Sequence, residues 1–158
     1  MAVEKYTALA NITLTSTASS VTFGSIPSGY RDLRLVVTGT ITNGYTVQMR
    51  FNGDSGSNYS YVGMYGTGSS TASYSGTSTS ITTGYLDTTQ SMIQYQIMDY
   101  SATDKHKTVL VRRDIAATIT LSSAERWANT AAITTLALIP TSSQVFNSGC
   151  TFELYGVK

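Results

Sequence analysis

The chain is 158 residues long, which is one domain's worth, and only 12% of it is charged, with ten basic against nine acidic residues and a formal net charge of +1. Without a basic block to neutralise a run of phosphates, sequence-independent nucleic-acid binding is not expected; one Cys and one His also exclude an internal disulfide and a structural zinc site. No apolar run approaches the roughly 20 residues of a membrane-spanning helix, and Met1 to Lys5 is not followed by a signal-peptide apolar region, so the expectation is a soluble protein without export signal, membrane partner or cofactor.

Along the chain the apolar residues recur at every second position, which is the period of strands. Ile12 to Thr15 and Val21 to Phe23 come first, then a turn at Ile26-Pro27-Ser28-Gly29. In Asp32 to Thr40, Leu33, Leu35 and Val37 point one way and Arg34, Val36 and Thr38 the other, which makes a half-buried strand. Tyr45, Val47, Met49 and Phe51 form the same pattern, and Asn43-Gly44 between the two runs is the strongest hairpin signal in the chain. Tyr59 to Tyr65 follows. Gly66 to Gly84 is almost pure Gly, Ser, Thr and Tyr, readable either as a flexible loop or as an exposed edge strand through Thr77, Thr79, Ile81 and Thr83.

Ile81 to Tyr85, Ile93 to Ile97, Thr108 to Val111, Ile119 to Leu121, Ile133 to Ile139 and Thr151 to Val157 complete a list of about ten or eleven short strands. Ser122 to Ala131 has the one helical claim, of at most a single turn. Short strands spaced by turn residues predict an all-β fold, an antiparallel two-sheet sandwich of jelly-roll-like type, as one domain over 1–158. Residues 1–6 are either an N-terminal arm that adds a strand to a neighbour or a frayed terminus.

Gly53-Asp54-Ser55-Gly56 spells the residues around the nucleophile of chymotrypsin-like proteases, but that chemistry requires a His base beside the Ser, and the only His is His106, in a polar turn with Lys105 and Lys107. Asn52, Asp54 and Asn58 offer oxygens at alternate positions, as a calcium loop does, yet Gly56 occupies a ligand position and no Glu closes the loop. A turn stapled by its own Asn and Asp side chains, with Ser55 and Gly56 inside it, is the better reading. No catalytic or metal-binding residue is therefore assigned. Cys150 reads as a small buried residue. Asp87, Asp99, Asp104, Asp114, Glu125 and Glu153 could supply a carboxylate pair for glycoside hydrolysis, although spacing does not show which of them meet.

Tyr outnumbers Phe eleven to four, beside a single Trp127. Tyr suits positions buried on one side and wet on the other, as at interfaces and sugar-binding faces. Tyr59, Tyr61 and Tyr65 share one parity and form a row that is either core edge or subunit contact; Tyr6, in the terminal segment, is a further contact candidate.

Three stretches together carry a family resemblance. They are Ser20-Val21-Thr22-Phe23 through Ile26-Pro27 and Tyr30 to Asp32-Leu33-Arg34-Leu35-Val36; Met49-Arg50-Phe51-Asn52-Gly53-Asp54-Ser55-Gly56-Ser57-Asn58-Tyr59-Ser60-Tyr61 with Tyr65-Gly66; and Thr130 to Thr134 through Ile139-Pro140 to Gly149-Cys150-Thr151-Phe152-Glu153-Leu154-Tyr155-Gly156-Val157. In this order they resemble virion structural proteins of tailed bacteriophages, including cyanophages, that supply β-rich capsid-decoration, head-fibre and tail-associated modules. The resemblance implies a non-enzymatic structural protein, with the Gly-Asp-Ser-Gly stretch as a family turn. A chain without shaft or attachment domain fits a decoration (cement) protein, a homotrimer whose partner is the major capsid protein. Its location would be the virion, after synthesis in the host cytoplasm. The alternative is a tail or head-fibre component that adheres to host surface glycans through a Tyr or Trp face. A glycan hydrolase is a third class, which would require a cleft with paired carboxylates.

Overall fold

A computed structural model describes residues 6–115 and 118–158. These form β1 (Tyr6–Thr13), β2 (Val21–Phe23), β3 (Asp32–Gly39), β4 (Tyr45–Phe51), β5 (Tyr59–Gly66), β6 (Thr71–Ser78), β7 (Ile81–Leu86), β8 (Ser91–Met98), β9 (Lys107–Ile115), β10 (Ile119–Trp127), β11 (Leu136–Pro140) and β12 (Thr151–Val157). The strands make two antiparallel sheets, an eight-stranded one ordered β1-β12-β3-β8-β9-β10-β5-β6 and a four-stranded one ordered β2-β11-β4-β7. The chain is thus an all-β, two-sheet sandwich, as the alternation requires; this strand order does not by itself specify jelly-roll wiring. No helix among the described residues is long and apolar enough to cross a membrane. Of the proposed arm, only Tyr6 lies within the described residues, as the first residue of β1, paired with Val157.

The core sits between the sheets. Leu33, Leu35 and Val37 of β3, Ile93, Tyr95 and Ile97 of β8, and Val109 and Val111 of β9 meet Val47, Met49 and Phe51 of β4 and Leu136 and Leu138 of β11, all buried. Each strand contributes its inward residues because the side-chain period of two sends alternate positions to one face, and burial of each large apolar side chain is worth about 1.5–3 kcal/mol. Tyr95 reaches across to β7 where Gly84 makes room. A Cβ at Gly84 would collide with the Tyr95 hydroxyl and lie 2.7 Å from the Val47 carbonyl oxygen. Gly84→Ala is therefore expected to cost about 1–3 kcal/mol in urea unfolding. Adding Tyr95→Phe should recover only part of the loss, because the Val47 oxygen belongs to the backbone and cannot rotate away.

Three expectations need correction. Asn43-Gly44 does not close a hairpin: β3 is flanked by β12 and β8 in the large sheet, whereas β4 lies between β11 and β7 in the small one. Neither Asn43 nor Gly44 is among the residues with positive φ, which the tight hairpin turn requires at both. Gly44 is instead a close-approach position, since a Cβ there would lie 2.5 Å from the Tyr85 hydroxyl and 2.6 Å from Asp87 Oδ1. Second, Ser122 to Trp127 is strand and not a helical turn, because Ser123, Glu125 and Trp127 point inward and Ser122, Ala124 and Arg126 outward. Third, Ile133 to Thr135 precede β11 and are not part of it. Gly66 to Gly84 is ordered rather than a loop, but the single edge strand through Thr77, Thr79, Ile81 and Thr83 does not form: β6 ends at Ser78 on the edge of the large sheet, and Ile81 and Thr83 belong to β7 on the edge of the small one.

Candidate functional site

The Gly-Asp-Ser-Gly stretch is a staple. Asn52 at φ 52° and Gly53 at φ 72° turn the chain as it leaves β4, conformations that Asn tolerates and Gly adopts freely. Asn52 Oδ1 accepts from the N–H groups of Thr134 and Thr135 at 2.9 and 3.1 Å, while its Nδ2 donates to the Ala132 carbonyl at 2.8 Å, tying the turn to the approach to β11. Asp54 accepts from Trp127 Nε1 at 2.7 Å, from the Gly56 N–H at 2.8 Å and from Asn58 Nδ2 at 3.0 Å. The indole hydrogen bond is the leading cause that holds the Asp54 carboxyl below its usual range, aided by Asn58 and Gly56 and opposed by burial. Both oxygens face N–H donors, the opposite of what a cation needs, so the turn is not a calcium loop. Ser55 is exposed, as is His106.

Tyr59 belongs to this staple and to the core. It is 1% exposed, its ring stacks with Trp127 at 6.4 Å and tilts against Phe51 at 6.3 Å. Its hydroxyl donates to the Asp54 carbonyl and accepts from the Phe51 N–H, each at 3.2 Å. Burial pushes the Tyr59 hydroxyl pKa up to about 12. Tyr59 is thus withdrawn from the candidate contacts: at its end of β5 the facing sheet covers the inner face completely. Tyr6 remains exposed, edge-on to Tyr155 at 6.5 Å and 5.8 Å below the Arg34 guanidinium.

The candidate carboxylates do separate work. Glu125 is buried and reaches across the sandwich to β7, the free edge of the small sheet, where it accepts from the N–H groups of Thr82 at 3.0 Å and Thr83 at 3.1 Å and from the Thr83 hydroxyl. An inward carboxylate here satisfies edge-strand donors that would otherwise be orphaned. Burial pushes its carboxyl above the usual range, opposed by these three donors and by the Ser123 hydroxyl. Elsewhere Asp87 caps its own turn at Thr88, Asp99 lies 3.8 Å from Lys105, and Glu153 accepts from Tyr155. Lys107 is fully buried, donating to the carbonyls of Lys105 and Thr130. Cys150 is buried, its thiol 3.1 Å from the Thr40 carbonyl.

Tyr61 and Tyr65, by contrast, line a cleft. The small sheet ends at β7, and beyond that edge the inner face of β9, β10, β5 and β6 is left partly uncovered. The open space is about 530 Å³, walled by Tyr61, Tyr65, Tyr74, Tyr85, Arg113 and Leu121, with threonines and Gln48 on the small-sheet side. The register explains the set: Arg113 pairs with Leu121 and Leu121 with Tyr65, so these three form one inward row across three strands. Two glycines seat the rings. Tyr74 lies over Gly63, its cross-strand partner, and Tyr61 over Gly76, whose Cβ would sit 2.6 Å from the Tyr61 hydroxyl. Arg113 stacks on Tyr85 with its guanidinium carbon 4.8 Å from the ring centroid, yet its Nε and Nη1 are buried without a hydrogen-bond partner among the described residues. Tyr74 and Arg113 were not legible as site residues, because only the strand order places them together.

The opposite face of the large sheet carries the other distinctive surface. Val62 and Met64 of β5 are 63% and 67% exposed, and they pair directly with Ala124 and Ser122 of β10. Leu110 of β9, opposite Ala124, extends the apolar strip over a third strand. Neither protein-family models, nor curated proteins, nor solved structures give a match to the chain.

Proposed function

We propose that this chain is a structural virion protein, a capsid decoration protein that binds the outer surface of an assembled phage head and bridges neighbouring capsid subunits as a homotrimer. The observation that carries the reading is the exposed apolar strip of Val62, Met64 and Leu110 on the outer face of the large sheet, together with the resemblance of the turn and strand motifs to phage virion modules. Large apolar side chains that a monomer leaves in water are a contact surface awaiting a partner. A shell that presents many identical sites is stabilised by such a binder through mass action and through several contacts per trimer. No catalytic step is involved.

Electron cryo-microscopy of the particle that carries this chain tests the reading. Many copies at three-fold positions on the head are the expected result; density confined to tail or fibres overturns it. The paired substitution Val62→Asp with Met64→Asp is expected to leave the circular dichroism spectrum unchanged and to weaken cosedimentation with expanded heads by more than about tenfold, since each buried side chain of this size is worth roughly 1.5–3 kcal/mol.

A second reading, a tail or head-fibre component that adheres to host surface glycans, is favoured by the tyrosine-walled cleft. Stacked aromatic rims and hydroxyl-bearing walls are the surfaces on which sugar rings lie.

A further inference from the structure

Arg113 is placed expensively. It is drawn in among Tyr74, Tyr85 and Tyr95, with no acidic partner in hydrogen-bond or ion-pair contact among the described residues; two of its guanidinium nitrogens are sealed from water and bond to none of those residues. Taking a cation out of water without a counter-ion costs stability, and a hydrophobic residue of similar length would pack there at no such cost. The buried carboxylate on the same inner face, Glu125, is already committed to the β7 backbone. Arg113 is nevertheless one of the residues that line the cleft, beside the tyrosine rings.

We propose that the cleft binds an acidic sugar, a pyranose whose ring carries a carboxylate, with Arg113 as the carboxylate-recognising group and Tyr61, Tyr65 and Tyr74 as the walls against which the ring packs. The inference rests on the adhesion reading and names its ligand class and residues. A guanidinium in a water-poor site gains most from a carboxylate, through charge-assisted bonds stronger than neutral ones. The tyrosine rings offer apolar faces to the sugar C–H groups. A space of about 530 Å³ falls within the roughly 300–1,000 Å³ of small-ligand sites. The row Arg113, Leu121, Tyr65 fixes the carboxylate-binding end at β9 and leaves the rest of the sugar to run toward β5 and β6. Thr46 and Gln48 of β4, at positions that alternate with the inward Val47 and Met49, complete the lining on the small-sheet side.

The test compares methyl glucuronide with methyl glucoside, which share a ring and differ only in the carboxylate, by saturation-transfer NMR and titration calorimetry on the full chain. The glucuronide is expected to bind about tenfold or more tightly. Arg113→Met, which keeps the length and packs as an apolar residue, should reduce that preference to less than about twofold while leaving the thermal midpoint unchanged or raised. Tyr65→Ala, at a half-exposed wall position, should weaken the glucuronide without altering the spectrum of the fold. If both glycosides bind equally well, or if Arg113→Met keeps the preference, the acidic-sugar proposal is overturned while adhesion to glycans stands. If neither glycoside binds and glycans of larger size also fail, both fall.

Discussion

Trp127→Ala is expected to destabilise the protein by about 3–5 kcal/mol in urea unfolding, the range for deleting a fully buried indole. The residue is 1% exposed, packs on Phe51 at 5.5 Å and on Tyr59 at 6.4 Å, and donates its N–H to Asp54 at 2.7 Å. The loss divides into two parts that smaller changes separate. Trp127→Phe keeps a ring in the core but removes the donor; Asp54→Ala keeps the indole and orphans its N–H. Each is expected to cost about 1–3 kcal/mol, and the double variant less than the sum, because one hydrogen bond is lost in both. The Asp54 part depends on pH. A carboxyl held below its usual range contributes stability that is present above that range and is lost as pH falls through the lowered value. Trp127→Ala within about 1 kcal/mol of the parent would mean that the turn does not hold the sheet ends together.

Glu125→Ala is expected to cost about 2–4 kcal/mol, since two N–H groups of the β7 edge lose their acceptor inside the protein. Glu125→Gln separates shape from charge. Its amide offers one oxygen and turns an N–H₂ toward the other backbone donor, so it rescues only part of the loss. The carboxyl is pushed up by burial, hence its contribution is present at and below the usual carboxylate range and is lost as pH rises through the raised value. The stability of the parent relative to Glu125→Gln is therefore expected to grow as pH falls from neutral, and to level off once the usual carboxylate range is passed. A difference that is flat from about pH 4 to 8 would show that Glu125 has the same proton affinity folded and unfolded.

Legibility in the sequence followed the range of each interaction. Leu33, Leu35 and Val37, or Val47, Met49 and Phe51, announce their buried faces because every alternate residue is apolar and its neighbour is not. In β10 the same alternation runs through Ser123 and Glu125, polar residues turned inward, so the pattern is invisible to hydrophobicity and the segment reads as a turn. The staple of Asn52, Asp54 and Asn58 was legible as a self-bonded turn because Asp54 bonds partners two and four residues away. Its strongest partner, Trp127, is 73 residues away and was not.

By itself the sequence determined the all-β class, the approximate strand positions and which face of most strands is buried, since side-chain direction alternates within any strand whatever its neighbours. Tertiary structure alone decided which strands share a sheet: Asn43-Gly44 joins two sheets because β3 and β4 find partners elsewhere, at distances in sequence that no local pattern encodes. It alone brought Arg113 of β9, Tyr65 of β5 and Tyr74 of β6 to one cleft. Pairing and register across the sheet set those distances, and the small sheet, being half as wide, left the cleft uncovered.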